Sequence, residues 1–127
     1  MGSVDVVVGV AVDDVDTIEM VSLVIFHVLG ASASLAADGV EALEQVRQHR
    51  PALVLLDVRL GKLSGLTVAR RLKADQETKD IPIIALVGAE DARLDTVKAG
   101  CDDCIIKPLD VDSLAERVRT YLPRQVN

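Results

Sequence analysis

At 127 residues the chain has the length of one domain with a real core, and half of it is hydrophobic against 27% charged. Fourteen Lys and Arg against twenty Asp and Glu leave a net charge of −6, which repels phosphate backbones and anionic lipid and sets aside nucleic acid and membrane surfaces as direct partners. No apolar run approaches the ~20 residues of a membrane span.

Aromatic residues amount to Phe26 and Tyr121, so the core must be built from Val, Leu, Ile and Ala, as suits a sheet covered on both faces. Met1-Gly2-Ser3 is not basic, reads as a vector-derived remnant and gives no sign of a signal peptide. With only two cysteines, this places the chain in a reducing cytosol.

Val6 to Val12 is a Val-rich apolar run broken by Gly9 and ending on Asp13-Asp14; it predicts a buried strand. From Val15 to Leu29, Ile18, Val21, Ser22, Ile25, Val28 and Leu29 recur at helical spacing, and Gly30 supplies a stop. Ala31 to Ala36 is a weaker second strand. Asp38 can cap a helix with Val40, Leu43 and Val46 inward, ending by Pro51. Leu53 to Asp57 is the third strand, and Ser64 caps a helix with Leu66, Val68, Ala69 and Leu72 inward. Pro82 introduces a fourth strand, Ile83 to Val87. A short helix over about Asp91 to Ala99 stops at Gly100. Cys104 to Ile106 is a fifth strand, followed by Lys107-Pro108, and Asp110 or Asp112 opens a last helix through Val111, Leu114, Val118 and Leu122.

Five strand-then-helix repeats with no linker or internal repeat predict one α/β domain over residues 1–127, with a core from about 6 to 122. Its five-stranded parallel sheet is doubly wound, with helices on both faces. Ligands in such a sheet bind beyond the carboxyl ends of the strands. Asp13 and Asp14 close the first strand, Asp57 the third and Lys107 the fifth, so all four fall at one edge. Converging carboxylates repel one another unless a hard divalent cation sits among them, and a lysine beside them can hold an incoming anion. The pattern is a cation-plus-phosphoryl site with Asp57 as the reacting group.

On these residues the chain resembles the receiver domains of two-component response regulators. The carriers are "VAVDDVD", "ADGVEAL", "LVLLDVRL" around Asp57, "IPIIAL" and "AGCDDCIIKP", in order and spanning about Val6 to Leu122. The resemblance implies a flavodoxin-like (βα)5 fold of the chemotaxis-regulator type and a phosphoacceptor at Asp57. It further implies Mg²⁺ or Mn²⁺ held by Asp13, Asp14, Asp57 and the backbone carbonyl of Arg59, with Lys107 and the Gly88 backbone N–H on the phosphoryl group. The implied partners are a sensor histidine kinase or histidine phosphotransfer protein, and a downstream protein at the face of the fourth helix, fifth strand and fifth helix. The implied activity goes no further than promoting the domain's own phosphorylation and dephosphorylation. In this family the Lys-Pro bond after the fifth strand is commonly cis.

The chain departs from the family pattern at its switch positions. Val87 stands where a Ser or Thr hydroxyl usually binds a phosphoryl oxygen, a loss of roughly 1.5–3 kcal/mol from the phosphorylated state. Cys104 stands where an aromatic residue usually swings inward. The segment from Val87 to Gly100 is shorter than usual, which predicts a trimmed fourth helix. Gly61-Lys62 replaces a common Pro-Gly, which predicts a more mobile loop after Asp57. Two readings are open: a phosphoreceiver with an altered output switch, or a receiver-like interaction module indifferent to phosphate. The retained Asp13, Asp14, Asp57 and Lys107 favour the first.

Other motifs carry less. Cys101-Asp102-Asp103-Cys104 is formally C-x-x-C, but its intervening acids oppose a lowered thiol pKa, and His27 and His49 lack ligand spacing for zinc. "GKLSG" fails the phosphate-loop spacing, and "DVR" places Arg59 where a dehalogenase-like phosphatase needs a second acid. "RRLK" at 70–73 reads as a solvated helical face.

Overall fold

Leu53-Val54-Leu55-Leu56-Asp57 is buried along its whole length, as is Ile83-Ile84-Ala85-Leu86-Val87. Such continuous burial is what a strand covered on both faces requires. A computed structural model describes residues 7–12, 14–88 and 93–122 of the chain. In order, the elements are β1 (Val7–Ala11), α1 (Val15–Leu23), β2 (Ser32–Ala36), α2 (Gly39–His49), β3 (Leu53–Asp57), α3 (Gly65–Ala74), β4 (Ile83–Val87), α4 (Arg93–Lys98), β5 (Asp103–Ile106) and α5 (Val111–Tyr121). The strands form one parallel sheet in the order β2-β1-β3-β4-β5. This is the doubly wound α/β fold that the alternation predicts.

The period-two alternation of the strands divides the core. Val8, Val10, Leu53, Leu55, Ile84 and Leu86 face one layer with Val21, Val24 and Ile25 beside Leu114 and Val118 of α5. Val54, Leu56 and Ile83 face the other with Leu43 and Val46 of α2 and Val68 and Leu72 of α3. The N-caps fall where the sequence places them. Asp38, Ser64 and Asp110 each accept a hydrogen bond from the main-chain N–H three residues on. Asp110, not Asp112, is the cap of α5. Gly30 and Gly100 take left-handed backbone angles at φ 65° and 94°, as helix-terminating glycines do.

The first helix departs from its predicted period. Beyond Leu23 it continues as a π-helical turn over Val24–Val28, closed by Leu29 N–H donating to the Val24 carbonyl at 2.9 Å. The wider turn takes up an extra residue and rotates the side chains at the end of the helix. Val24 is therefore fully buried, while Val28, expected inward, is 44% exposed and Phe26 66% exposed. In α2, Val40 is likewise outward and Ala42 takes the core position. Six residues of the fourth helix, Arg93–Lys98, are described; Asp91, at the start of its predicted span, lies outside the described residues, as does Val6.

The amino edge of the sheet is closed by a polar latch. Lys73 Nζ at the end of α3 donates to the Ile81 carbonyl (2.8 Å) and to Asp102 Oδ2 (2.9 Å), and Asp102 Oδ2 also accepts from Ile83 N–H (2.8 Å). The starts of β4 and β5 are thereby joined to α3. No described helix is long and apolar enough to cross a membrane.

Leu43 is 6% exposed and Val40, on the same helix, 42%. Leu43→Ala is expected to lower the unfolding free energy by about 2–4 kcal/mol, and Val40→Ala to change it by no more than about 0.5 kcal/mol. Urea denaturation of the two variants checks both.

Candidate functional site

The parallel register brings the strand ends together. Ala11 lies beside Leu56, Asp57 beside Leu86 and Val87 beside Ile106, so the residues after β1, β4 and β5 gather around Asp57. Asp57 is 3% exposed. Its Oδ1 accepts from the Arg59 N–H at 2.9 Å, and its Oδ2 accepts from Lys107 Nζ in a direct ion pair. A buried carboxylate without such a partner would be costly, so Lys107 is what permits Asp57 to end a buried strand as an anion. The Lys107–Pro108 bond is cis.

Asp14 stands across the mouth at the N-cap of α1. Its Oδ2 accepts from the Thr17 hydroxyl at 2.6 Å and the Thr17 N–H at 3.1 Å. The Thr17 hydroxyl and N–H hold the Asp14 carboxyl below its ordinary value, and the charge of Lys107 acts the same way. Asp14, Thr17 and Lys107 line an open cleft of about 510 Å³ whose other walls include Met20, Pro108 and Leu109. Asp13, the other predicted acid, lies outside the described residues.

Gly88 comes directly after β4 at the same edge, and Val87, the last residue of β4, is fully buried with its carbonyl accepting from Lys107 N–H at 2.8 Å. Cys104 lies inside β5 rather than at the mouth, paired in register with Ala85. Its carbonyl accepts from Arg117 of α5 (3.2 Å), which also pairs with Asp103 (2.9 Å). Of the expected ligand residues, Asp14, Asp57 and Arg59 all come just at or after strand ends on this edge, and oxygen donors of this kind would suit Mg²⁺ or Mn²⁺ better than a thiophilic metal; among the described residues no three acids, histidines or cysteines are gathered closely enough to hold a metal by themselves.

The loop after Asp57, expected to be mobile from its Gly-Lys pair, makes several contacts of its own. Gly39 N–H donates to the Gly61 carbonyl (3.0 Å), Leu63 N–H donates to the same oxygen (2.7 Å), and Lys62 Nζ lies 3.3 Å from Asp38 Oδ2. Lys62 itself sits at φ 66°, a left-handed angle that costs a side chain about 1 kcal/mol or more. It stands where the family commonly has glycine, the residue that takes such an angle at no steric cost.

Gly65 and Thr17 matter here and went unremarked in the sequence. A Cβ on Gly65 would stand 2.1 Å from the Asp57 carbonyl oxygen, so only glycine lets the start of α3 press against the reacting strand end. A glycine as the first residue of a helix, directly after its Ser cap, was the available signal. For Thr17 it was the Asp-x-x-Thr spacing at a helix start. In the C-x-x-C pair both cysteines are free thiols, and burial, reinforced by the Asp102 charge, pushes Cys101 up to about 11, the opposite of the lowered thiol pKa a redox pair needs.

A doubly wound domain with a buried aspartate paired to a lysine at the carboxyl edge is the arrangement that the sequence resemblance predicts, and comparison makes the class specific. The model of the response regulator receiver domain matches residues 10–119, and the chain belongs to that family. It is 33% identical over 115 residues to the DNA-binding dual master transcriptional regulator RpaA of Synechocystis, covering 89% of this chain and 48% of RpaA. It is 38% identical over 89 residues to the polar-differentiation response regulator DivK of Brucella anthropi, covering 67% of this chain and 71% of DivK. The chain therefore spans about half of RpaA but most of DivK. Among solved structures, a response regulator from Chloroflexus aurantiacus superposes with a TM-score of 0.87 at 31% identity, covering 94% and 99% of the two chains. The receiver domain of the Pseudomonas aeruginosa sensor histidine kinase PA1611, with magnesium in its active-site cleft, shares the fold at a TM-score of 0.84 and 24% identity, covering 93% and 98%.

Two outcomes are expected. Gly65→Ala should destabilise the fold by about 2–3 kcal/mol, whereas Gly61→Ala, whose added Cβ meets nothing within 4 Å, should stay within about 0.5 kcal/mol; urea denaturation measures both. Moving Cys101 from its ordinary 9.0 to about 11 lowers its thiolate fraction near pH 8 roughly 100-fold. Alkylation of native Cys101 by iodoacetamide, read by mass spectrometry, should accordingly be far slower than in urea.

Proposed function

We propose that this receiver domain accepts a phosphoryl group on Asp57 from a phosphohistidine donor, with Mg²⁺ bound beside it. The observation that carries the reading is the Asp57–Lys107 ion pair at the carboxyl edge of the sheet. Asp14, Asp57 and the Arg59 carbonyl would hold the cation, joined by Asp13, and the cation would neutralise charge on the transferring oxygens. Lys107 would move from the carboxylate to a phosphoryl oxygen, and the Gly88 N–H would donate to another. The bond formed joins Asp57 oxygen to phosphorus, and the bond broken is the donor's nitrogen–phosphorus bond. The acyl phosphate is then lost to water, so the domain catalyses only its own modification.

The donor, a sensor kinase or histidine phosphotransfer protein, must bring its imidazole to this mouth. The apolar walls of the adjoining cleft, Met20, Pro108 and Leu109, suit a docking helix. Output would leave by the face of α4, β5 and α5, where Leu94, Val97 and Ile106 are exposed and apolar. With Val87 buried in the hydroxyl's place and Arg117 pinning α5 to β5, that face would shift little on phosphorylation. A protein partner in the cytoplasm fits the charge of −6 better than nucleic acid or membrane.

The test is a ¹⁹F NMR titration with beryllofluoride, an acyl-phosphate mimic, against wild type and Asp57→Asn. Bound fluorine signals that require both Mg²⁺ and Asp57 are expected. Their absence from a folded domain would overturn the phosphoacceptor reading in favour of a phosphate-independent interaction module.

A further inference from the structure

We infer that Thr17 is a positioning residue for the cation side of the site: its hydroxyl holds the Asp14 carboxylate in the pose from which Asp14 ligates a divalent ion. The inference rests on the proposed phosphoacceptor reading and extends it to a residue outside the ligand set.

The hydrogen bonding at the start of α1 exceeds what a helix cap needs. Capping is complete when an Asp14 oxygen accepts from the Thr17 N–H, at 3.1 Å. The Thr17 hydroxyl is a second donor, at 2.6 Å, and it goes to the same oxygen, Oδ2. Two donors on one oxygen hold Oδ2 in place and leave Oδ1 available to a cation. Asp14 is otherwise an exposed side chain with free torsions, whose ordering on a metal would cost rotamer entropy. Thr17 is itself only 8% exposed, and its β-branch restricts its torsion. The clamp is therefore rigid while the residue it holds borders the open cleft. Hydrogen-bond partners that orient ligating carboxylates typically carry a 10–100-fold effect on metal affinity.

Thr17→Val keeps the branched shape and the capping N–H and removes only the hydroxyl donor. Mn²⁺ titration monitored by electron paramagnetic resonance, on wild type, Thr17→Val, Thr17→Ala and Thr17→Ser, tests the assignment without phosphorylation. Both hydroxyl-free variants should bind Mn²⁺ about tenfold more weakly, with Thr17→Ser within about twofold of wild type. The alanine variant supplies the answer should valine strain the first turn. A role confined to capping would lower melting temperature and leave the dissociation constant where it was. Wild-type affinity in the hydroxyl-free variants, or equal weakening in the serine variant, overturns the inference and leaves the phosphoacceptor reading standing. Absence of Mn²⁺ binding by wild type overturns both.

Discussion

A carboxylate that is 3% exposed is costly to bury without a partner, and for Asp57 that partner is Lys107, fifty residues further on. The pairing imposes a condition on the whole chain: β3 and β5 must end at one edge, with β4 between them in register. A parallel sheet meets the condition because every strand delivers its last residue to the same side. Burial on both faces then explains the Val-, Ile- and Leu-rich strands, and the helices are the cover that burial requires.

The two edges of the sheet are built differently. At the amino edge, Lys73 and Asp102 satisfy main-chain groups and one another. At the carboxyl edge, Lys107 pairs with the buried Asp57 and also lines, with Asp14, an open cleft. Like charges there favour an incoming cation and, once it is bound, an incoming anion. Gly65 sets how closely α3 can back this edge, and the bonds from Gly39 and Asp38 fix the loop in front of it.

Much of this was legible in the residues because local and global preferences agree. The β3 and β4 runs are long, apolar and bounded by Asp and Pro, and their limits match the structure residue for residue. Ser64 and Asp38 cap because each precedes an amphipathic stretch. The π-helical turn was illegible: no residue in Val24–Val28 breaks a helix, and the extra residue shows only in the packing of Val24 against the sheet. Val40 misled for a related reason, since α2 packs through Ala42 and small residues weigh little in a hydrophobic pattern. The loop at Lys62 reads as loose from its composition, which does not show the bonds from Gly39 and the contact with Asp38, both distant in sequence.

Tyr121 has a practical consequence. It is the single tyrosine of a chain without tryptophan, and it sits at the end of α5 with its hydroxyl 3.3 Å from both the Asp102 carbonyl and Asp103 Oδ2. Partial burial, and after it the Asp103 charge, raises its phenol above the ordinary value. Ultraviolet emission and near-ultraviolet dichroism of the unlabelled protein thus come essentially from one ring at the seam between α5 and β5. The domain carries its own optical gauge of that seam, and no engineered fluorophore is needed to watch it.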